Sequence, residues 1–233
     1  MTLPELLLID KPKGITSFDV IRRLRRQYST NHAGAKAPKL GHAGTLDPLA
    51  SGLMLLGVGK GTKKLTELLK LRKEYIADIR IGERRSTGDL EGEILVEKAV
   101  TETIVALEPK ILAAVQSLVG TQTLPVSAYS AIKVDGVPMY KRARKAEKDG
   151  DVVAEVPVRE MQVLETELIS FVIDGTRAIA RVRFFVGSGT YIRSLAEELG
   201  NLVGYPATLQ DLQRTKIGEY TLAQAKKIGE CFV

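Results

Sequence analysis

The stretch GHAGTLDPLASGLMLLGVG, residues 41–59, joins a glycine-rich turn to an uninterrupted apolar run. The apolar half predicts a buried strand, because a short apolar run bounded by turn residues is typical of one. The first half carries a single carboxylate, Asp47, directly before Pro48. A residue before proline is driven into an extended conformation, so we expect Asp47 to point away from the turn. Taken alone, the segment also fits a turn aspartate that bonds to its own backbone.

The composition limits the class of protein. The 233 residues carry 34 Lys and Arg against 28 Asp and Glu, a formal net charge of +6. No apolar run reaches the roughly 18 residues that a membrane span requires, so we expect no membrane association. Cys231 is the only cysteine, which predicts a reducing, cytoplasmic environment. With His32 and His42 as the only histidines, the sequence offers no Cys/His cluster for a metal ion.

Basic residues fall into three clusters with few acids between their members. The clusters comprise Arg22, Arg23, Arg25 and Arg26; Lys60, Lys63, Lys64, Lys70, Arg72 and Lys73; and Lys141, Arg142, Arg144 and Lys145. Such a distribution suits a surface that follows phosphates, and a merely solvated surface is the alternative. The chain contains neither a P-loop nor a GxGxxG fingerprint, so we expect no nucleotide cofactor.

Periodicity and turn signals predict an α+β fold, with a mainly antiparallel mixed sheet and flanking helices. LLLI at 6–9 predicts a strand, and EYIADIRIG at 74–82 predicts another, whose Tyr75, Ala77, Ile79 and Ile81 share one face. Asp135-Gly136 and Asp174-Gly175 predict hairpin turns. Residues 82–93 are expected to form a turn-rich connection into the strand EILVE.

Helices are predicted from cap residues and apolar spacing. Ser17 and Thr62 are expected to cap two of them, and Pro109 fits the first turn of a third. YIRSLAEELG at 191–200 predicts a fourth. The expected inward residues are Val20, Ile21 and Leu24; Leu65, Leu68 and Leu69; and Ile111, Leu112, Val115 and Leu118.

Five motifs together resemble the TruB family of tRNA pseudouridine synthases, in the family's order and across nearly the whole chain. They are DKPKGITS at 10–17, GHAGTLDPLASGLMLLGVGKGTK at 41–63, KEYIADIRIGERRSTGDLEGE at 73–93, PVSAYSAIKVDGVPMYKRAR at 125–144 and GSGTYIRSLAEELG at 187–200. The resemblance implies the pseudouridine synthase fold. It also implies conversion of uridine 55 in the T-loop of tRNA to pseudouridine, without cofactor, metal or energy source.

The resemblance assigns a role to each matching residue. Asp47 is the essential carboxylate, which attacks the base, attacks the sugar or acts first as a base. Arg193 pairs with Asp47 and keeps it ionised in a desolvated pocket. Tyr75 stacks on the flipped base, and His42 enters the space near the displaced nucleotides. From the residues alone, Arg193 also fits a surface arginine, Tyr75 a core residue and His42 a structural histidine.

The remaining assignments concern the pocket wall and the RNA backbone. Tyr191 and Leu212 match pocket-lining positions, and Lys11, Lys13 and the basic clusters are expected to grip the stem backbone of the tRNA T-arm.

Residues 1–233 are expected to form a single catalytic domain, with the C-terminal RNA-binding (PUA-like) domain absent or reduced to a stub. We expect a monomer without an obligate protein partner. The alternatives are a non-catalytic tRNA-binding or folding protein and a guide-dependent RNA pseudouridine synthase.

Overall fold

The computed structural model describes residues 4–130, 132–149 and 156–232. The α-helices are α1 (Ser17–Asn31), α2 (Leu65–Leu69), α3 (Ile104–Ser117), α4 (Met139–Asp149) and α5 (Ile192–Val203). The strands are β1 (Leu6–Lys11), β2 (Leu40–His42), β3 (Ser51–Val58), β4 (Lys73–Ile81), β5 (Glu83–Arg85), β6 (Ile94–Glu97), β7 (Gly120–Pro125), β8 (Lys133–Val134), β9 (Val137–Pro138), β10 (Val158–Asp174), β11 (Arg177–Val186), β12 (Ala207–Ile217), β13 (Tyr220–Thr221) and β14 (Lys226–Lys227). Short 3-10 turns lie at Gly59–Lys64, Leu222–Gln224 and Ile228–Glu230.

The main sheet is mixed. Its strand order is β14-β1-β3-β12-β4-β11-β10-β7, with β13 beside β12 and β2 beside β3. β1 runs antiparallel to β3, from Leu6 opposite Gly57 to Lys11 opposite Gly52, and β7 runs antiparallel to β10. β14 is parallel to β1, and β12 is parallel to β3. The predicted α+β class with a mainly antiparallel mixed sheet is confirmed.

The chain divides into two compact units. The first contains the described residues of Met1–Ile76, Phe184–Ser188 and Asp211–Val233, and the second those of Ala77–Arg183 and Gly189–Gln210. The expectation of one catalytic domain across 1–233 stays a prediction. Within the described ranges, no helix combines the length and apolar composition needed to cross a membrane.

The core of the first unit forms where β2 and β3 meet the end of β12. Ala43, Leu53, Leu55 and Ile217 are fully buried there. Leu65 and Leu68 of α2 pack against this cluster as predicted, together with Leu71, which lies beyond the helix. The inward assignment of Leu69 was wrong, because its side chain is exposed. Thr62 was also wrongly assigned as the cap of α2, since its hydroxyl donates to the Gly59 carbonyl within the preceding 3-10 turn.

The N-cap of helix α1 lies one residue earlier than the sequence predicted. Thr16 is the N-cap: its hydroxyl accepts from the Asp19 amide at 3.1 Å, and the Asp19 carboxylate accepts from the Thr16 amide at 2.9 Å. These reciprocal bonds form a capping box. The prediction of Ser17 as the cap was therefore wrong, and Ser17 is instead buried. The predicted inward face of α1 is confirmed by the burial of Val20, Ile21 and Leu24.

In the second unit, α3 packs on β10 and begins earlier than predicted, at Ile104. Pro109 lies inside the helix, where it removes one backbone hydrogen bond. The carbonyl that loses its partner belongs to Val105, which is 82% exposed, so water can reach it. Ile111, Val115 and Leu118 are buried, which confirms their predicted inward positions. The same prediction for Leu112 was wrong, because its side chain is exposed.

Strand patterns were predicted more accurately. Burial alternates along β4, and the four residues predicted to share one face are all buried. Asp135 and Gly136, both with positive φ, join β8 to β9. A turn also joins β10 to β11 as predicted, but it consists of Gly175 and Thr176, because Asp174 is the last residue of β10. The connection at 82–93 was incompletely predicted, because Glu83–Arg85 forms β5 and pairs antiparallel with β6.

Candidate active site

The loop between β2 and β3 carries Asp47, which is half-buried. The loop closes as a turn in which the Ala50 amide donates to the Asp47 carbonyl at 3.1 Å. Pro48 occupies the second position of this turn, where its fixed φ is favourable. The local sequence therefore directs the Asp47 backbone as expected.

Contacts from the turn after β1 and from the start of α1 hold the residues on both sides of Asp47. The buried Ser17 hydroxyl donates to the Leu46 carbonyl at 2.9 Å and accepts from the Leu46 amide at 2.8 Å. The Gly14 amide donates to the Pro48 carbonyl at 2.8 Å. Because both neighbours of Asp47 are tied to a different part of the chain, the backbone that presents the carboxylate is fixed by long-range contacts.

Lys11 also supports this region from within. It is fully buried, and its ammonium donates to the carbonyls of Pro12 at 3.0 Å and Ile15 at 2.7 Å, with the Pro48 carbonyl at 3.5 Å. The expectation that Lys11 grips an RNA backbone is corrected, because a fully buried ammonium presents no surface to a phosphate. Lys11 instead donates hydrogen bonds to backbone carbonyls of the turn after β1.

Arg214 of β12 is the largest fully buried side chain of the described residues, at 1% exposure. Its guanidinium donates to the carbonyls of Leu53 at 2.7 Å, Gly44 at 3.2 Å and Thr45 at 3.4 Å. One side chain thus ties β12 to the two ends of the Asp47 loop. Sequence reasoning missed Arg214, although its position two residues after Leu212 on the same strand face was a usable signal.

Tyr75 and Leu212 lie close to this arginine in the fold. Tyr75 of β4 is 8% exposed, and the Arg214 guanidinium carbon lies 6.0 Å from the centre of its ring. Leu212 is buried on β12. The burial of Tyr75 agrees with the core-packing interpretation, and stacking on a base stays a prediction.

Two further titratable groups are perturbed by burial and by Arg214. Burial, with a smaller contribution from Arg214, lowers the pKa of His42 below its ordinary value. The same two causes lower the pKa of Lys73 to about 8. The Lys73 ammonium donates to the carbonyls of Leu69 at 2.5 Å and Leu71 at 2.7 Å. The Lys73 ammonium is therefore buried and bound to backbone carbonyls of the protein itself. Its assignment to a phosphate-binding cluster was wrong.

In the second unit, Arg193 of α5 is buried with its guanidinium enclosed by polar groups. It donates to the carbonyls of Thr87 at 2.8 Å and Tyr129 at 3.2 Å and to the Ser127 hydroxyl at 3.1 Å. The surface-arginine alternative is therefore excluded. Its predicted pairing with Asp47 stays a prediction.

Asp89 is an acidic neighbour of Arg193 that sequence reasoning missed. One carboxylate oxygen lies 3.7 Å from the guanidinium, and the other accepts from the Thr87 hydroxyl at 2.5 Å and the Glu91 amide at 3.1 Å. Asp89 is buried. Its place in the turn-forming run STGDLEGE was the available signal, because short polar residues there commonly bond local amides.

Tyr191 directly precedes α5 as its N-cap and is half-buried, with its amide 3.4 Å from the Met161 sulfur. The predicted site residues thus divide between the units, with Asp47, His42 and Leu212 in the first and Tyr191 and Arg193 in the second. No group of three His, Cys, Asp or Glu side chains among the described residues is placed to hold a metal ion.

Comparison with known proteins identifies the family. A sequence model described as TruB family pseudouridylate synthase (N terminal domain) matches residues 31–192. The chain belongs to the TruB family. A TruB-family relative from Leifsonia xyli subsp. xyli, named tRNA pseudouridine synthase B, is 42% identical over 225 residues, covering 96% of this chain and 70% of the relative. One from Corynebacterium glutamicum, with the same name, is 38% identical over 227 residues, covering 97% of this chain and 71% of the relative.

Solved structures support the same fold for this TruB-family chain. It matches a chain of an H/ACA RNP bound to a substrate RNA containing 2′-deoxyuridine, with a TM-score of 0.65 and 22% identity over 97% of this chain. A chain of the archaeal box H/ACA sRNP Nop10-Cbf5 complex matches with a TM-score of 0.63 and 23% identity over 97% of this chain. The chain spans about half the length of each, 52%. The predicted pseudouridine synthase fold is confirmed.

Proposed function

We propose that this protein isomerises uridine 55 in the T-loop of tRNA to pseudouridine. Membership of the TruB family carries the proposal, and relatives at 38% and 42% identity named tRNA pseudouridine synthase B support tRNA as the substrate. Position 55 follows from the motif resemblance. In this reaction the bond from ribose C1′ to N1 breaks and one from C1′ to C5 forms. N1 gains a proton and C5 loses one, so the product is an isomer and no oxidant or cofactor is consumed.

Asp47 is the proposed catalytic carboxylate, and Arg193 is the proposed cation that keeps it ionised. A carboxylate that enters a desolvated site stays charged only with a cation or hydrogen-bond donors beside it. The contacts of Ser17 and Arg214 support this role for Asp47, because they hold the loop that carries it before substrate arrives. Such preorganisation lowers the cost of orienting the reacting groups.

Access to the glycosidic bond requires the uridine to leave its stack, at a cost of a few kcal/mol. Stacking of the base on an aromatic side chain contributes about 1–3 kcal/mol of binding free energy, which offsets part of this cost. Tyr75 is the proposed stacking partner, and Tyr191 and Leu212 are the proposed pocket wall. His42 is the proposed residue near the displaced nucleotides, and its lowered pKa favours the neutral imidazole there.

Release of tritium from tRNA transcribed with [5-³H]uridine tests the reaction, since C5 loses its hydrogen. We expect release by the wild-type protein and a loss to background in Asp47→Asn, which keeps the shape and removes the charge. Asp174→Asn is the matched control, because Asp174 lies at the exposed β10–β11 turn, where asparagine is equally favourable. Full activity of Asp47→Asn would remove Asp47 from the mechanism.

The same materials test the two alternatives. A tRNA-folding protein without catalysis would release no tritium, and its effect on tRNA refolding would persist in Asp47→Asn. A guide-dependent enzyme would be inactive as purified protein on a bare T-arm stem-loop. We propose that the protein acts there alone, as a monomer in the cytoplasm, and activity of the isolated chain on the stem-loop is the expected result.

A further inference from the structure

A cavity of about 610 Å³ lies between the second half of α1 and the loop that follows it. Its lining residues are Arg25, Ser29, Ala35, Lys36, Ala37, Pro38 and Lys39. We call this set the α1 cationic pocket. It lies entirely within the first unit and includes none of the residues assigned to the candidate active site.

The charges of this pocket are not balanced by the protein. Arg25, Lys36 and Lys39 are exposed, and within the ranges that the structure describes none of them forms an ion pair. The lining set contains cations, a hydroxyl and small apolar residues. Guanidinium, ammonium and hydroxyl groups are hydrogen-bond donors that favour phosphate oxygens. The chemistry of the pocket therefore fits phosphate groups.

Backbone hydrogen bonds fix both walls of the pocket. The Gly34 amide donates to the Ser29 carbonyl at 2.8 Å, which folds the loop back onto the end of α1. The Gly59 amide donates to the Lys39 carbonyl at 2.8 Å, which anchors the far end of the loop. A side-chain bond holds the other side of α1, because Asn31 Nδ2 donates to the Phe232 carbonyl at 2.7 Å. The cations thus project from a preformed surface.

The arrangement favours a polyanion over a single ion. Exposed Arg23 and Arg26 continue the positive charge along α1 outside the pocket. Ser17, at the start of the same helix, contacts Leu46 beside Asp47. Eight residues separate Ser17 from Arg25, or about 12 Å at the ~1.5 Å rise of a helix. A polyanion that reaches both the Asp47 loop and the pocket would therefore have to extend over about 12 Å along α1.

We infer that the α1 cationic pocket binds the phosphate backbone of RNA, as a contact additional to that of the catalytic loop. The inference rests on the proposed function, since it takes the tRNA substrate as the polyanion. Each phosphate contact releases counterions, so log Kd depends on log salt with a slope of about 0.7–0.9 per contact.

The test compares two triple variants with the same change in charge. Arg25→Gln/Lys36→Gln/Lys39→Gln removes the pocket cations. The control, Lys110→Gln/Arg181→Gln/Lys216→Gln, removes three exposed cations outside the basic clusters that already pair with Glu102, Asp78 and Glu74. Binding of unmodified tRNA transcript is measured between 50 and 200 mM KCl. Because all six residues are on the surface, thermal unfolding is expected to be unchanged in both variants.

We expect the pocket variant to bind tRNA at least about tenfold more weakly than the control at 100 mM KCl, with a salt slope smaller by about 2 to 3. The single variant Lys36→Gln is expected to lower the slope by about 1. Single-turnover tritium release at saturating enzyme should be the same for all variants. Equal Kd values and slopes for the two triple variants would overturn the inference. Absence of tritium release by the wild type would overturn the proposed function instead, because the binding comparison does not depend on catalysis.

Discussion

Replacement of Arg214 by lysine should destabilise the protein strongly, although it conserves the charge. The guanidinium donates from three nitrogens, Nε, Nη2 and Nη1, to three carbonyls at 2.7, 3.2 and 3.4 Å. A single ammonium on an unforked side chain cannot reach all of them. A hydrogen bond from a charged group contributes about 1.5–3 kcal/mol, so the loss of two predicts about 3–6 kcal/mol. That is a large part of the total stability of a typical protein, about 5–15 kcal/mol.

Urea unfolding followed by far-UV circular dichroism measures this change, because the chain has no tryptophan for fluorescence. We expect the midpoint for Arg214→Lys to fall by about 1–2 M. Arg181→Lys is the matched control. Arg181 is 51% exposed and pairs with Asp78 at 3.5 Å, so its replacement should cost below about 1 kcal/mol.

Hydrogen exchange supplies a local measurement of the same effect. Amides of residues 44–53 should exchange faster in Arg214→Lys than in the wild type, because the carbonyls at both ends of the Asp47 loop lose their donor. A free energy of unfolding within 1 kcal/mol of the wild type, with unchanged exchange in this loop, would refute the view that Arg214 holds the loop in place.

Gly52→Ala should destabilise by more than about 2 kcal/mol in urea unfolding, because φ is +103° and the new Cβ would lie 2.4 Å from the Arg214 carbonyl oxygen. Gly14→Ala, also at positive φ but with open space around it, should cost only about 1 kcal/mol, and equal costs would contradict the steric argument. Lys73 has a pKa of about 8 in the folded protein against 10.5 ordinarily, so the unfolded chain binds more protons between these values. Stability relative to Lys73→Met should therefore rise as the pH increases from about 8 to 10.5, and a flat difference would count against the burial of its charge. The pKa of His42 lies below 6.5 when folded, so stability relative to His42→Gln should fall as the pH drops through about 6.5. An NMR titration of the imidazole giving a pKa at or above 6.5 would contradict this prediction.

The local sequence pattern was sufficient to predict several strands and turns. The alternation in EYIADIRIG predicted that Tyr75, Ala77, Ile79 and Ile81 share one face, because successive side chains of a strand point to opposite faces, and all four are buried. The hairpin at Asp135-Gly136 was predicted because both residues tolerate positive φ. These properties depend on neighbours a few positions away, so the linear sequence contains them.

Helix starts depended on more distant residues. Thr16 and Ser17 are both suitable cap residues, and only Thr16 has a carboxylate three positions later, Asp19, to complete a capping box. Ser17 is unavailable in the folded protein because its hydroxyl serves both backbone groups of Leu46, which is 29 positions away. The cap therefore falls to Thr16.

The sequence by itself determined the family, the alternating strands and the turn that carries Asp47. The tertiary structure alone decided that Lys11, Lys73 and Arg214 are internal, although as charged residues they were expected at the surface or not considered. The physical reason is desolvation. A buried cation is tolerated only where oxygen atoms surround it, and here those oxygens are backbone carbonyls that every residue carries. Carbonyls have no signature in an amino-acid sequence, so only the folded chain shows where enough of them converge.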